Sequence, residues 1–163
     1  MRLPSQASEA INSHKLIAGG RSNSYIVKIQ TTYLFVYGTL RRNLVSPVLE
    51  TISEHIDWVA NARVKGALYD IGNYPGAVPV DSGIYITGEV IEIKEPGSVL
   101  QLLDDYEGYD PGNEIRSEYC RKKEWVEFED GTGVEAWIYW YNFPVNEKQR
   151  IPGNDYLKYL EKK

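Results

Sequence analysis

Tyr33-Leu34-Phe35-Val36-Tyr37-Gly38-Thr39-Leu40 is the stretch on which the reading of the fold turns. Five consecutive apolar, aromatic or β-branched residues describe a short buried strand, and Gly38 ends it in a tight turn. A strand that exits this way presents consecutive main-chain N–H groups, and the missing side chain of Gly38 lets a ligand come close. Such a turn can hold an anion or a developing oxyanion. Taken alone, it is explained as plainly by a Gly38 that only permits the turn and a Thr39 that bonds locally. Arg41 and Arg42 follow and add to an anion site, because guanidinium pairs well with carboxylate.

Outward from this strand, β-rich segments alternate with short helical ones. Ser46-Pro47 offers a cap followed by proline at the first helical position, which predicts a helix from Pro47 to about Glu54. Trp58 to Tyr69 reads as strand broken at Gly66, and the turn formers of Gly72-Asn73-Tyr74-Pro75-Gly76 predict a loop. Gly83 to Ile93 has the pattern of a bent strand with a bulge at Gly88. Val99, Leu102, Leu103 and Tyr106 recur at helical spacing after Glu95-Pro96, so an amphipathic helix is expected from Pro96 to Asp105, with Glu107 at its end. Tyr119–Glu129 and Val134–Tyr141 form a hairpin around Asp130-Gly131-Thr132-Gly133, and Asn154–Lys163 reads as a capped terminal helix. Strands dominate and two or three short helices are inserted, so the economical architecture is α+β, a small mixed β-barrel-like sheet.

A chain of 163 residues suits one domain. Residues 1–24, rich in Ser, Asn, Gly and Ala, are expected to form a flexible N-terminal extension, and residues 25–163 the domain. The formal charge of −5 opposes attraction to phosphate backbones, and no basic stripe carries interleaved aromatics, so nucleic acid is not an expected partner. No window has the apolar length of a membrane span, and no apolar signal core follows the first charge. One cysteine, Cys120, leaves no internal disulfide, and His14 and His55 lack ligand spacing, so the default is a cytoplasmic protein without a metal. Thirteen tyrosines against three phenylalanines suggest walls with apolar bodies and polar tips, as in a wet pocket. Nothing in the sequence sets an oligomeric state.

Four acids crowd into Leu103-Asp104-Asp105-Tyr106-Glu107-Gly108-Tyr109-Asp110. Neighbouring carboxylates and partial burial both raise a carboxyl pKa, which suits Glu107 to proton exchange near neutral pH. On composition alone a solvated acidic helix end explains the cluster as well, and its spacing does not match a calcium loop.

In sequence order, these segments resemble the γ-glutamylcyclotransferase-like superfamily, in its branch of avirulence-induced-gene-like proteins and γ-glutamylamine cyclotransferases. The matching pieces are Tyr33 to Arg41, Gly66 to Gly76, Gly88-Glu89-Val90-Ile91, Leu103 to Tyr109, Tyr119-Cys120-Arg121 and Ala136-Trp137-Ile138-Tyr139. The resemblance implies a small barrel with a pocket at its mouth. It also implies cleavage of a γ-glutamyl compound into 5-oxoproline and a free amine or amino acid, without a cofactor. By match, the backbone of Tyr37, Gly38, Thr39 and Leu40 grips the glutamyl α-carboxylate or polarises the γ-carbonyl, and Glu107 is the acid/base. Tyr74 and Tyr119 become walls or hydrogen-bond partners, with Arg121 beside them. Two other readings predict different observations: a module that binds a small carboxylate or amine without turnover, and a tyrosine-rich face that docks a protein partner.

Overall fold

Residues 30–163 are described by a computed structural model of the protein, so the expected extension over 1–24 and the expected domain start at residue 25 lie outside the described residues. The decisive strand is β1 (Thr32–Val36), and it is buried on both faces. Side chains alternate along a strand, so Leu34 and Val36 face one way while Phe35 and Tyr37 face the other. Phe35 joins Val64, Ile86, Val90, Val126 and Ile138 in the barrel interior. Leu34 and Val36 join Ile52, Ile91, Val99 and Leu103 in a second core, between the barrel wall and two helices. A run buried on both faces cannot alternate, which is why the sequence shows none there.

The helices of that second core are α1 (Pro47–Ile52), which continues into a 3₁₀ turn over Ser53–His55, and α2 (Pro96–Glu107). Pro47 and Pro96 each sit in the first turn, where a missing N–H costs nothing. The expected Ser46 side-chain cap is not made; its hydroxyl is buried without a partner among the described residues.

The barrel closes in the order β1, β5 (Tyr85–Ile93), β2 (Ile56–Lys65), β6 (Tyr119–Phe128), β7 (Gly133–Tyr141), and back to β1. Its neighbours pair antiparallel except at the seam, where Leu34 meets Trp137 in parallel. The fold is thus an α+β mixed barrel with a few short helices.

Three local expectations are corrected. The register shift lies on β2 between Trp58 and Ala60, while Gly88 pairs regularly with Ala62. Glycine is needed at 88 for space, since a Cβ there would run into the Phe35 ring and the Val36 carbonyl. The loop expected over Gly72–Gly76 is shorter: β3 (Ala67–Asp70) turns through Ile71–Tyr74 directly into β4 (Pro75–Val78). Proline is tolerated there because it opens the strand, where no ladder N–H is required. The terminal helix α3 is Tyr156–Leu160, shorter than expected by two residues at its start and three at its end. Asp155 caps it by accepting from the amides of Leu157 and Lys158, while Asn154 takes a left-handed φ of 49° and its side chain accepts from the Leu68 amide.

Candidate active site

At the exit of β1 the chain turns through Tyr37-Gly38-Thr39-Leu40, and the Arg41 amide closes the turn on the Gly38 carbonyl at 3.1 Å. Among the described residues, the amides of Gly38, Thr39 and Leu40 donate no hydrogen bond. Orphan donors of this kind are what an anionic oxygen completes. Pro75 packs so closely over Gly38 that a Cβ at 38 would stand 2.8 Å from the Pro75 Cγ, so the glycine is required by that approach.

A cavity of about 310 Å³ opens on this turn. The C-terminal end of α2 forms another wall. Gly108, at φ 64°, stops the helix in the left-handed conformation that glycine adopts without a Cβ penalty, and its amide caps the carbonyls of Asp104 and Asp105. Glu107 is therefore the last helical residue and lines the cavity. Loss of water around its carboxyl, and then the nearby Glu118 carboxylate, push its pKa up to about 8. The helix C-terminus, with its partial negative charge, acts in the same direction.

Glu118 is a cavity residue that the sequence reading missed. Its amide donates to the Gly108 carbonyl at 3.1 Å and its carbonyl accepts from the Asn142 amide at 2.8 Å, which places it beside the end of α2 at the start of β6. Its carboxylate accepts from the Tyr74 hydroxyl at 2.5 Å. The available signal was its position immediately before Tyr119, a residue already assigned to the pocket.

Tyrosines make most of the remaining polar lining. Tyr37 donates to the Tyr139 carbonyl at 2.6 Å, and Tyr119 donates to the Pro75 carbonyl at 2.9 Å. Thr39 Oγ1 and the Tyr106 hydroxyl lie 3.2 Å apart. Burial raises the Tyr37, Tyr119 and Tyr139 hydroxyls well above their ordinary range, and the hydrogen bond to Glu118 leads in pushing Tyr74 up to about 12. All four remain protonated, neutral hydrogen-bonding walls.

Of the predicted site residues, the structure brings Tyr37, Gly38, Thr39, Leu40, Tyr74, Glu107 and Tyr119 to this one cavity. Arg121 is placed elsewhere. Its Nε lies 3.2 Å from the Asp104 carboxylate and its guanidinium stacks over Trp137, with 4.8 Å to the ring centroid. Asp104 also accepts from the hydroxyl of Tyr139, so Arg121 adjoins the cavity wall from behind. Arg41 and Arg42 do not serve the anion site either. Arg41 is buried against Asp155 and Glu89, and Arg42 lies over the Trp58 ring. Among the described residues, no group of three His, Cys, Asp or Glu side chains is gathered to hold a metal ion, and no helix is long and apolar enough to cross a membrane.

A mixed barrel whose mouth joins an amide-bearing turn to a raised-pKa acid defines a class of small-molecule proteins. The particular family follows from comparison: the family described as gamma-glutamyl cyclotransferase, AIG2-like, matches residues 34–158, and the chain belongs to it. The gamma-glutamylcyclotransferase family protein YtfP of Escherichia coli K12 is 30% identical over 131 residues, covering 76% of this chain and 95% of its own. Among solved structures, YkqA of Bacillus subtilis superposes with a TM-score of 0.60 at 28% identity over 82% of this chain, which spans only 43% of that longer protein. An aig2-like protein of Mus musculus superposes with a TM-score of 0.56 at 25% identity, over 73% of this chain and 82% of its own.

Proposed function

We propose that the protein splits a γ-glutamyl compound into 5-oxoproline and a free amine or amino acid, with Glu107 as the acid/base. The observation that carries this reading is a carboxyl raised to about 8 in a cavity that also presents the amides of Gly38, Thr39 and Leu40, which have no partner among the described residues. A γ-glutamyl substrate contains its own nucleophile. Its α-nitrogen attacks the γ-carbonyl carbon, a C–N bond closes the five-membered ring, and the C–N bond to the departing amine breaks. Two protons leave the α-ammonium and two arrive on the departing nitrogen, so charge balances and neither water nor electrons are consumed. The balance requires no cofactor.

The protein's tasks are then to hold the substrate in the ring-closing pose and to move protons. Oriented intramolecular attack reaches effective molarities of ~10⁵–10⁸ M, so positioning is the larger contribution. The turn amides hold an anionic oxygen of the glutamyl group, and the tyrosine walls exclude water around it. Glu107 in its ionised form takes a proton from the α-nitrogen and returns it to the departing nitrogen, a step worth typically ~10²–10⁴-fold.

The test is direct. The protein is mixed with a panel of γ-glutamyl amino acids and γ-glutamyl amines, and 5-oxoproline is quantified. Turnover of at least one member, lost in Glu107→Gln, is the expected result. Failure on every member, or undiminished turnover by Glu107→Gln, would overturn the reading. Saturable binding without any product would favour the non-catalytic binding module.

A further inference from the structure

We infer that Glu118 is the residue that recognises the substrate's α-ammonium, so that the cavity selects γ-glutamyl compounds with a free amine and loses that contact once the ring has closed. This inference rests on the cyclotransferase reading and assigns a role to a residue that reading leaves idle. Among the residues that line the cavity, Glu107 and Glu118 are the charged ones, and both are acids. Neither has an ion-pair partner among the described residues. Two partly covered carboxylates without a counter-ion are costly, and an entering cation relieves that cost.

The two acids are not equivalent. Among the described residues Glu107 makes no side-chain hydrogen bond and keeps its lone pairs for a proton in transit, whereas Glu118 is oriented by the Tyr74 hydroxyl. Tyr74 donates to one carboxyl oxygen of Glu118 and so fixes the direction in which that group points. Among the described residues its second oxygen has no hydrogen-bond partner and is left to receive one from a cation. Its main chain is locked by the Gly108 and Asn142 contacts, which place the residue beside the end of α2.

A γ-glutamyl group fits this division. Its α-carboxylate and α-ammonium sit on one carbon, and the cavity offers amides without a partner among the described residues on one wall and the Glu118 carboxyl on another. Ring closure converts the ammonium into a neutral lactam N–H. The product keeps its carboxylate but not the charge that Glu118 held, which favours release.

Binding of two matched compounds tests the inference: γ-glutamylethylamide, and the same molecule with hydrogen in place of the α-amine. Affinities are measured by calorimetry on Glu107→Gln, which suppresses turnover, and on the Glu107→Gln, Glu118→Gln double variant. A hydrogen-bonded charge contact predicts a ~10–100-fold preference for the amine-bearing compound in the first protein, and its collapse to near unity in the second. Affinity for the desamino compound should stay within about threefold, since Glu118 makes no favourable contact with it. Glu118→Gln keeps the side-chain shape and every main-chain bond, and a melting curve checks that it folds. Glu118→Asp is the second variant and should retain a reduced preference. Equal binding of the two compounds before Glu118 is changed, or a preference that survives Glu118→Gln, would overturn the inference while leaving a γ-glutamyl site in place. No binding of either compound would overturn the site and the inference together. Equal weakening of both compounds by Glu118→Gln would assign Glu118 a structural role and also defeat the inference.

Discussion

Arg41 donates to the Asp155 carboxylate at 2.9 Å, fastening the residue that follows the site turn to the cap of α3, 114 positions later in sequence. Both side chains are buried. Glu89 of β5 completes the clamp, with one oxygen 3.7 Å from the Arg41 guanidinium and the other accepting from the Arg42 amide at 3.0 Å. The arginine that sequence adjacency suggested for substrate is instead consumed in holding the turn.

Asp155→Ala should therefore be strongly destabilising. It strips a buried guanidinium of its closest carboxylate, which typically costs about 3–5 kcal/mol, and it removes the α3 cap, worth about 1 kcal/mol more. Denaturant unfolding measures the loss. A change below about 1 kcal/mol would show that solvent reaches the pair freely.

Gly38→Ala tests whether the turn and Pro75 are held in register. The added methyl would meet the Pro75 Cγ at 2.8 Å, so either the turn or the β3–β4 hairpin must yield. Overpacking of this kind costs about 1–3 kcal/mol, and displaced amides should weaken ligand binding more than the folded barrel. The expected signature is a larger fractional effect on kcat/KM for 5-oxoproline formation than on the unfolding midpoint. Unchanged kinetics would remove the turn amides from the site.

Much of the barrel was readable because its signals are local. The β1 run, the Asp130-Gly131 hairpin and the helical spacing of Val99 and Leu103 each report their own element, and each appears in the structure. Glu107 and the turn also stand in sequence order along the family pattern. The rest depends on contacts across the chain. Whether Arg41 meets a substrate or Asp155, and whether Arg121 enters the cavity or braces Asp104, is decided by residues tens of positions away. Glu118 was hidden for the same reason: nothing around Ser117-Glu118-Tyr119 announces that Gly108 will hold it beside Glu107.

Arg121 should act as a positioning residue. It touches Asp104, and Asp104 holds the Tyr139 hydroxyl at 2.7 Å, while the Tyr139 carbonyl receives the Tyr37 hydroxyl. Arg121→Gln removes the charge and the stacking over Trp137, with an expected stability loss of about 1–3 kcal/mol. A role in setting the wall predicts a fall in kcat with little change in KM. Direct substrate binding predicts the opposite split, a raised KM at near-constant kcat.

The pH dependence of Glu107 makes the sharpest prediction. As a base it works ionised, so kcat/KM for 5-oxoproline formation should rise with pH toward a midpoint of about 8. The groups facing it are Glu118 just before β6 and the hydroxyls of Tyr37, Tyr74, Tyr119 and Tyr139, and the tyrosines are all raised out of this range. Glu118→Gln removes the repulsion that contributes to the shift, so the midpoint should move down, toward neutrality. Stability carries the mirror image. A carboxyl ordinarily at 4.5 and raised to about 8 binds more protons folded than unfolded between those values, so the fold loses stability as pH climbs through that window. Glu107→Gln abolishes this loss: its melting temperature should match wild type near pH 4 and exceed it by a margin that grows up to about pH 8 and then levels. A margin that is flat with pH would mean that the Glu107 carboxyl is well solvated, and with it the shifted base at the centre of the mechanism would fall.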